Sequence, residues 1–381
     1  MEIFGVALGG FGSAALAFVL VLSVLVFVHE WGHYWVARRA GVRIEVFSIG
    51  FGPELFGFND KAGTRWKVSA LPLGGYVKMF GDADAASTPG AHVPTMTEAE
   101  KAVSFHHKPL GARAAIVAAG PLVNLLFAVV LLAGLFATAG QPYTAPEIGQ
   151  VQPGSAAERA GLQAGDVIRA IDGKTIARFE EIRQTVSINP GVALRLDVAR
   201  DGRPLEITAT PSVSEMTDRF GNTHRVGLLG VASAGVGHVV HDPLTAVWEA
   251  LREVGGMISG TFTALGQMIE GSRGAEELGG PLRIAQMSGE VAQTGFYSLI
   301  WFMAFLSVNL GLINLFPVPM LDGGHLLFYL FEAVRGRPLG ERVQEYGFRI
   351  GLALVLSLMV FATWNDLVQL RVVDFFKRLI S

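Results

Sequence analysis

Two histidines and a glutamate stand close together near the start of the chain, in His29-Glu30-Trp31-Gly32-His33. On a helix, residues four apart lie one turn apart on the same face, so both imidazoles can bind one metal ion. The glutamate between them is close enough to take a proton from a water molecule that the metal activates. The pattern therefore predicts a zinc site that carries out hydrolysis.

The segment that carries this motif indicates where the chemistry takes place. It is apolar from about Phe4 and has no charge before Glu30. A helix that is apolar on every side is either buried or faces lipid, and ionisable residues at membrane depth are functional candidates. We therefore expect hydrolysis inside or at the edge of a bilayer. The alternatives are a chance match with buried structural histidines and a water-soluble enzyme, whose motif helix would be amphipathic.

Zinc held by two histidines needs a third protein ligand and an open coordination position. The chain has no cysteine, so the third ligand must be His, Asp or Glu. Asp322 is the best candidate: Pro317 and Pro319 end the preceding apolar helix, and Gly323-Gly324 lets the backbone turn the carboxylate inward. His325 is a competing ligand, although a structural role fits it better. A solvated turn residue is the ordinary alternative for Asp322.

Asparagines within the apolar stretches form a second group of polar candidates. An asparagine amide can donate to a substrate carbonyl or to developing negative charge, and its common role in a membrane helix is a bond to another helix. Asn314 lies nearer Asp322 and is assigned to the substrate, whereas Asn309 is assigned a structural role. Asn124, in Gly120-Pro121-Leu122-Val123-Asn124, is expected to support packing or a kink.

Composition places these motifs in a membrane protein. Of the 381 residues, 51% are hydrophobic, which predicts several membrane spans together with a water-soluble insert. The net charge of -3 argues against a nucleic-acid partner. The N-terminus has neither a positive n-region nor a small-residue cleavage pattern, so we expect a retained first span rather than a cleaved signal peptide.

Four stretches have the length or character of spans, at about Ser13–Val36, Ala114–Ala137, Ser298–Phe316 and Ile350–Trp364. Basic residues in the short flanks fall on one side, which is assigned as cytoplasmic. They are Arg38, Arg39 and Arg43 after the first span, Lys101, Lys108 and Arg113 before the second, and Arg335, Arg337, Arg342 and Arg349 between the last two. Both termini and residues 140–297 are then external. Arg371, Lys377 and Arg378 depart from the rule.

Short strands are predicted between the first two spans, at Arg43–Phe47, Arg65–Val68 and Tyr76–Met79. Gly74-Gly75 supplies a bend or a bulge. The functional interpretation is a sheet that dips toward the metal and offers a free edge. The alternative is an ordinary cytoplasmic hairpin.

The external insert has glycine-rich turns between short strands, beginning at about Pro146, and resembles a PDZ domain of the kind that bacterial secreted and membrane proteases carry. Phe179–Val186 has helical periodicity, and Asp201-Gly202 predicts a hairpin. Such a domain can bind a chain terminus or a strand, or serve only as a spacer.

Beyond it, Leu244–Ile269 is predicted to form an amphipathic helix. This helix either lies on the outer leaflet or packs in a core.

Together these segments resemble the site-2 protease family of intramembrane zinc metalloproteases, and within it most closely the regulator of sigma-E protease branch. The motifs are HEWGH, GGYVKM, GPLVN, the PDZ insert, GGPLRIAQ and NLFPVPMLDGGH, in that order. The resemblance implies Zn²⁺ bound by His29, His33 and Asp322, with Glu30 as the catalytic base. It also implies that Asn314 and the strand containing Gly74, Gly75, Tyr76 and Val77 contact the substrate.

The resulting fold class is a polytopic α-helical membrane protein with about four spans, a membrane-associated β-sheet and an inserted periplasmic PDZ domain. Residues 1–140 form the first helical part, 141–235 the PDZ domain, 236–297 an amphipathic linker and 298–381 the last two spans. Well-known relatives carry two PDZ domains in tandem, but this chain has room for one.

The expected function is cleavage of single-span proteins, such as an anti-sigma factor, or of remnant signal peptides, in the bacterial inner membrane. An inert PDZ scaffold and an ion-coupled transporter are the alternatives.

Overall fold

The computed structural model describes residues 2–82, 93–217, 223–271, 274 and 279–369, so Arg371, Lys377 and Arg378 lie outside the described residues. Within the described residues, the helices are α1 (Glu2–Arg39), α2 (Glu98–Val103), α3 (Leu110–Thr138), α4 (Ala156–Arg159), α5 (Phe179–Ser187), α6 (Pro243–Ile269), α7 (Pro281–Thr294), α8 (Phe296–Leu315), α9 (Asp322–Arg335) and α10 (Glu341–Gln369). The strands are β1 (Ile44–Asn59), β2 (Arg65–Met79), β3 (Gln141–Thr144), β4 (Ile148–Val151), β5 (Val167–Ile171), β6 (Lys174–Thr175), β7 (Leu194–Arg200), β8 (Arg203–Ala209), β9 (Ser212–Thr217), β10 (Thr223–Leu228), β11 (Val231–Ser233) and β12 (Val236–Val239).

Four of the described helices are long and apolar enough to cross a membrane: Ala14–Arg39 of α1, Leu110–Thr138 of α3, Phe296–Leu315 of α8 and Arg342–Val368 of α10. The chain is a multi-pass membrane protein, and the four predicted spans are confirmed. The fourth is longer than the sequence indicated. Its first turns contain charged residues, and Arg349 pairs there with Glu345 one turn earlier, at 2.6 Å between Nη2 and Oε1.

The chain divides into two compact units. The membrane unit comprises Met1–Gly134, Val247–Gly266 and Gly274–Ser381. The PDZ unit comprises Leu135–Ala246 and Gln267–Arg273.

Helices α1, α3 and α8 form the centre of the membrane unit. Val21 and Leu25 of α1 are buried against Met303 of α8, with Phe127 of α3 packed beside them. Gly311 brings α8 close to the kinked part of α3, because a Cβ at this position would lie 2.9 Å from the carbonyl oxygen of Pro121. Small residues at helix contacts are the usual means of close packing in membranes, where water does not drive association.

The segment between the first two spans folds into a four-stranded sheet, because β1 and β2 each bend into two strands. Residues 46–49 pair with 75–78 on one side and with 65–68 on the other, and residues 54–59 pair with 65–69. The strand order is therefore 75–79, 44–49, 65–69 and 54–59, so 75–79 is one edge of the sheet. The three predicted strands are present, and the strand at 54–59 was missed.

Aromatic packing fixes this sheet to α1 beside the HEWGH motif. Phe47 is buried and stacks on Trp66 with ring centroids 4.2 Å apart, and Tyr34 of α1 packs edge-on against both rings. The Asp60 carboxylate accepts hydrogen bonds from the Trp66 indole at 3.0 Å and from the Tyr34 hydroxyl at 3.3 Å. The sheet is therefore held to α1 by Tyr34, the residue that directly follows His33.

The GGPLRIAQ motif begins α7, a helix that the sequence analysis did not predict. Asp366 of α10 is 1% exposed and accepts hydrogen bonds from the backbone amides of Gly280 at 2.8 Å and Arg283 at 3.0 Å. It therefore caps the N-terminus of α7, where backbone amides have no partner within the helix. Gly289 allows α7 to contact α1, because a Cβ there would overlap Ala14.

The PDZ unit contains an antiparallel sheet of order β6-β5-β7-β8 whose core includes Ile168, Leu196 and Val198. The predicted hairpin is present: β7 and β8 pair in register, and Asp201 and Gly202 at its turn have φ of 49° and 78°. Two positive φ values at adjacent turn residues are the geometry that matches the twist of a hairpin. Helix α5 covers the predicted segment and buries Ile182 and Val186. The hairpin and the helix that the sequence predicts for this insert are therefore both present.

Candidate metal centre

The two histidines of the first span and the aspartate that begins α9 meet at one point. The Nε2 atoms of His29 and His33 are 3.3 Å apart. Asp322 Oδ2 lies 3.2 Å from His29 Nε2 and 3.5 Å from His33 Nε2. One ligand atom from each residue falls within 4.8 Å of the others, although nearly 300 residues separate Asp322 from the histidines in sequence.

A tight loop brings Asp322 to the histidines. Helix α8 ends at Leu315, and a turn follows in which the Leu321 amide donates to the Val318 carbonyl at 3.0 Å. Met320 has φ of +84°, a conformation that costs a non-glycine residue about 1–3 kcal/mol. The positive φ of the bend is therefore at Met320, outside the glycine pair. Gly323 and Gly324 instead allow close packing, because a Cβ on either would overlap backbone carbonyl groups of the preceding loop.

The donor atoms fit zinc. Asp322 Oδ2 is buried and makes no hydrogen bond, although both imidazole nitrogens are nearby. A buried carboxylate oxygen without a hydrogen bond is costly, and a cation between the three donors would satisfy it. Burial raises the pKa of Asp322, but the neighbouring imidazoles outweigh this effect and hold the pKa below its usual range. Two imidazoles and one carboxylate form a known ligand set for catalytic zinc.

One face of α3 supports the imidazoles through three residues spaced by four: Ile116, Gly120 and Asn124. His33 Nδ1 donates to the Ile116 carbonyl at 2.9 Å, which leaves the Nε2 lone pair for a metal. Gly120 faces the ligands directly, because a Cβ there would overlap His33 Nε2 and lie 2.9 Å from His29 Cε1. These contacts were not predicted from the sequence. The four-residue spacing of Gly120 and Asn124 in GPLVN was the signal that could have revealed them.

Asn124 holds the other histidine. Its side chain is fully buried, with the amide 3.1 Å from His29 Nδ1, and its Oδ1 has no hydrogen-bond partner. Rotating the amide by 180° places Oδ1 at His29 Nδ1, where it accepts the Nδ1 proton and frees Nε2 for metal. The Asn124 carbonyl also accepts from the Ser307 hydroxyl of α8 at 2.8 Å. Asn124 therefore positions a ligand as well as joining helices.

The catalytic candidate Glu30 touches the edge of the β-sheet. It is 9% exposed, and the backbone amide of Val77 donates to its carboxylate. Gly75 is equally close, because a Cβ at that position would lie 3.1 Å from Glu30 Cγ and 2.6 Å from Val26. The edge strand thus reaches the proposed base without an intervening side chain.

A cavity of about 120 Å³ adjoins these groups and is large enough for several water molecules. Its lining includes the three ligands and Glu30, together with Gly75, Tyr76, Val77, Asn314 and His325. Gly74 is not part of the lining and lies against the Phe51 ring. Asn309 lies away from the cavity, where its amide donates to the Phe305 carbonyl at 2.9 Å and its Oδ1 lies 3.4 Å from the Thr261 hydroxyl.

A family model described as "Peptidase family M50" matches residues 17–358. The chain belongs to peptidase family M50. It is 49% identical over 358 residues to "Putative zinc metalloprotease Atu1380" of Agrobacterium fabrum, covering 93% of this chain and 95% of that one. It is 40% identical over 390 residues to "Metalloprotease MmpA" of Caulobacter vibrioides, covering 96% of this chain and 98% of that one. The protein is a zinc metalloprotease, not an inert scaffold or a transporter.

Solved PDZ domains resemble part of the chain. The PDZ domain of an SdrC-like protein from Listeria monocytogenes is 17% identical, covers 24% of this chain and 88% of that one, and has a TM-score of 0.19. Its Listeria innocua counterpart is 18% identical, covers 26% of this chain and 99% of that one, and has a TM-score of 0.19.

Replacing Gly120 with alanine is expected to abolish metal binding, because the added methyl group would overlap His33 Nε2. Zinc content of the purified variant, measured by inductively coupled plasma mass spectrometry, should fall from about one ion per chain to nearly none. Gly134→Ala on the same helix is the matched control, since a Cβ there meets open space. Full zinc content in Gly120→Ala would contradict the geometry described for α3.

Asn124→Asp and Asn124→Leu should differ in metal affinity. Aspartate keeps an acceptor for the His29 Nδ1 proton, whereas leucine removes it and should weaken zinc binding about 10- to 100-fold. Competition with a chelator of known affinity measures the effect. Equal affinities for the two variants would mean that Asn124 contributes packing alone.

Proposed function

We propose that this M50 metalloprotease cleaves peptide bonds within the transmembrane segments of single-span proteins, such as an anti-sigma factor, or of remnant signal peptides. The observation that carries the proposal is the position of the ligands: His29 and His33 lie on a membrane-spanning helix, and Glu30 is 9% exposed beside them. A soluble substrate would have to reach a site at membrane depth, whereas a membrane-embedded segment is already there.

His29, His33 and Asp322 would hold the zinc ion, which polarises the scissile carbonyl and lowers the pKa of water to about 7. Glu30 then takes a proton from the attacking water and passes it to the leaving amine. Asn314 lines the same cavity, and its amide can donate to the carbonyl oxygen as negative charge develops there.

A helical substrate must unfold locally before cleavage, because its carbonyl groups are hydrogen-bonded within the helix. We infer that the unwound stretch pairs with the edge strand at Gly75-Tyr76-Val77, which would replace the lost backbone bonds. Two features support this step: residues 75–79 form an edge of the sheet, and the Val77 amide already donates to Glu30. A strand bound there would lie next to the catalytic base.

We further propose that the protein lies in the bacterial inner membrane with the basic side facing the cytoplasm and the PDZ unit in the periplasm. The arginines beside the first, second and fourth spans support this orientation.

In this orientation the PDZ unit would limit access to substrates already trimmed outside, as expected for a protease of the regulator of sigma-E type. A single domain would act either as a size filter or by binding a newly formed chain terminus.

Glu30→Gln tests the reaction directly. The variant should retain zinc and lose cleavage of a single-span substrate in liposomes by about 10²- to 10⁴-fold, because glutamine cannot accept the proton. Mass spectrometry of the wild-type products should place the cut within the apolar segment. Cleavage by Glu30→Gln at the wild-type rate would reject its role, and a cut outside the segment would reject the substrate class.

Disulfide trapping tests the edge-strand step, and the absence of native cysteine makes single-cysteine variants unambiguous. In Glu30→Gln protein, Tyr76→Cys should cross-link to every second position of a cysteine series along the substrate, as expected for paired strands. Leu55→Cys, 71% exposed on the opposite edge strand, is the control. Cross-links at three- to four-residue spacing, or equal yields at both edges, would contradict strand pairing.

A further inference from the structure

His325 lies on the ligand helix, one turn beyond Asp322, but it does not join the ligand group. Residues three apart on a helix share a face, so the imidazole points to the same side of α9 as the metal-binding carboxylate. Within the described residues, the ligand group comprises His29, His33 and Asp322 without His325. His325 does line the cavity that also contains Glu30 and Asn314. It is therefore beside the reaction site without being needed to bind the metal.

The imidazole is held by ring contacts alone. It packs on Phe348 of α10 with ring centroids 5.2 Å apart, and Phe348 packs edge-on against Phe328 at 5.6 Å. In the part of the chain that the structure describes, its ring nitrogens have no hydrogen-bond partner. Its N–H group and its acceptor nitrogen are therefore available to water or to a substrate.

His325 also lines a second cavity, of about 100 Å³. The polar groups around this cavity include two paired side chains. His106 Nε2 lies 3.0 Å from Asp82 Oδ1, and Arg113 donates to Glu332 at 2.5 Å. A polar cavity of this volume has room for several water molecules.

These positions give the imidazole a defined hydrogen-bonding role. A neutral imidazole carries one N–H donor and one acceptor nitrogen. Water in the second cavity can donate to the acceptor nitrogen and so fix the tautomer whose N–H points into the metal cavity. Hydrolysis of a peptide bond builds negative charge on the carbonyl oxygen, and donors placed to meet this charge act in the transition state. Asn314 supplies one such donor, and a second is the usual requirement of an oxyanion site.

We propose that His325 is a catalytic residue that donates a hydrogen bond to the scissile carbonyl oxygen and, with Asn314, stabilises the charge that develops there. This role belongs to peptide hydrolysis at the metal and does not depend on the source of the peptide. Losing one such donor lowers kcat by about 10²- to 10³-fold. Because the contact strengthens only as charge develops, KM should change little.

The test compares His325→Leu, His325→Gln and wild type on any peptide that the wild-type holoenzyme cleaves. Leucine removes the donor, whereas glutamine keeps an N–H of similar reach and should recover part of kcat. His107→Leu is the matched control, since His107 bonds to the Ser104 hydroxyl at 3.2 Å and lines neither cavity. Zinc content should remain at the wild-type level in all variants.

Two inhibitors separate a catalytic role from a structural one. A phosphinic peptide presents a tetrahedral oxyanion in place of the scissile carbonyl, whereas a reduced-amide peptide has no oxygen there. His325→Leu should weaken binding of the phosphinic peptide by the same factor by which it lowers kcat/KM. Binding of the reduced-amide peptide should be unchanged. Loss of zinc, equal weakening of both inhibitors, or an unchanged kcat would each overturn the proposal.

Discussion

One carboxylate oxygen of Asp322 is buried against two imidazoles beside a membrane span, and the arrangement of the metal centre depends on this contact. A buried oxygen without a hydrogen bond is costly unless a cation satisfies it, so the free energy of metal binding offsets a cost already present in the fold. The positive φ of Met320 and the absence of side chains at Gly323 and Gly324 make the loop before α9 tight. This loop places the Asp322 carboxylate beside histidines that lie on a different helix.

Glycines allow close packing of the backbone at several points around the metal centre. Gly120 brings α3 against the imidazoles, and Gly75 brings the sheet edge against Glu30. Gly32 brings α1 against α3, because a Cβ on Gly32 would lie 2.6 Å from the Ala119 carbonyl oxygen. In a membrane the protein gains little from burying apolar surface against lipid, so contact between backbones provides much of the association. The glycines therefore position the site and hold the helices together at the same time.

The sequence predicted the parts of the site that follow from local spacing. His29, Glu30 and His33 follow from the four-residue helical repeat, and Asp322 follows from the prolines that end α8. The contacts of Ile116, Gly120 and Asn124 were not predicted, because they depend on how α3 is rotated against α1, which local periodicity does not determine. The strand at 54–59 was missed because Gly57 and Pro53 interrupt its alternation. Helix α7 was missed because its N-terminal cap comes from Asp366, 85 residues after its first residue.

Zinc K-edge X-ray absorption of the purified protein, compared with Asp322→Ala, tests whether His29, His33 and Asp322 bind one ion. We expect a single zinc ion with two imidazole nitrogens and a carboxylate oxygen at about 2.0–2.2 Å in the wild type, and loss of bound zinc when the carboxylate is removed. An Asp322→Ala protein that holds zinc in full amount with an unchanged absorption spectrum would show that the two halves of the membrane unit do not share a metal ion.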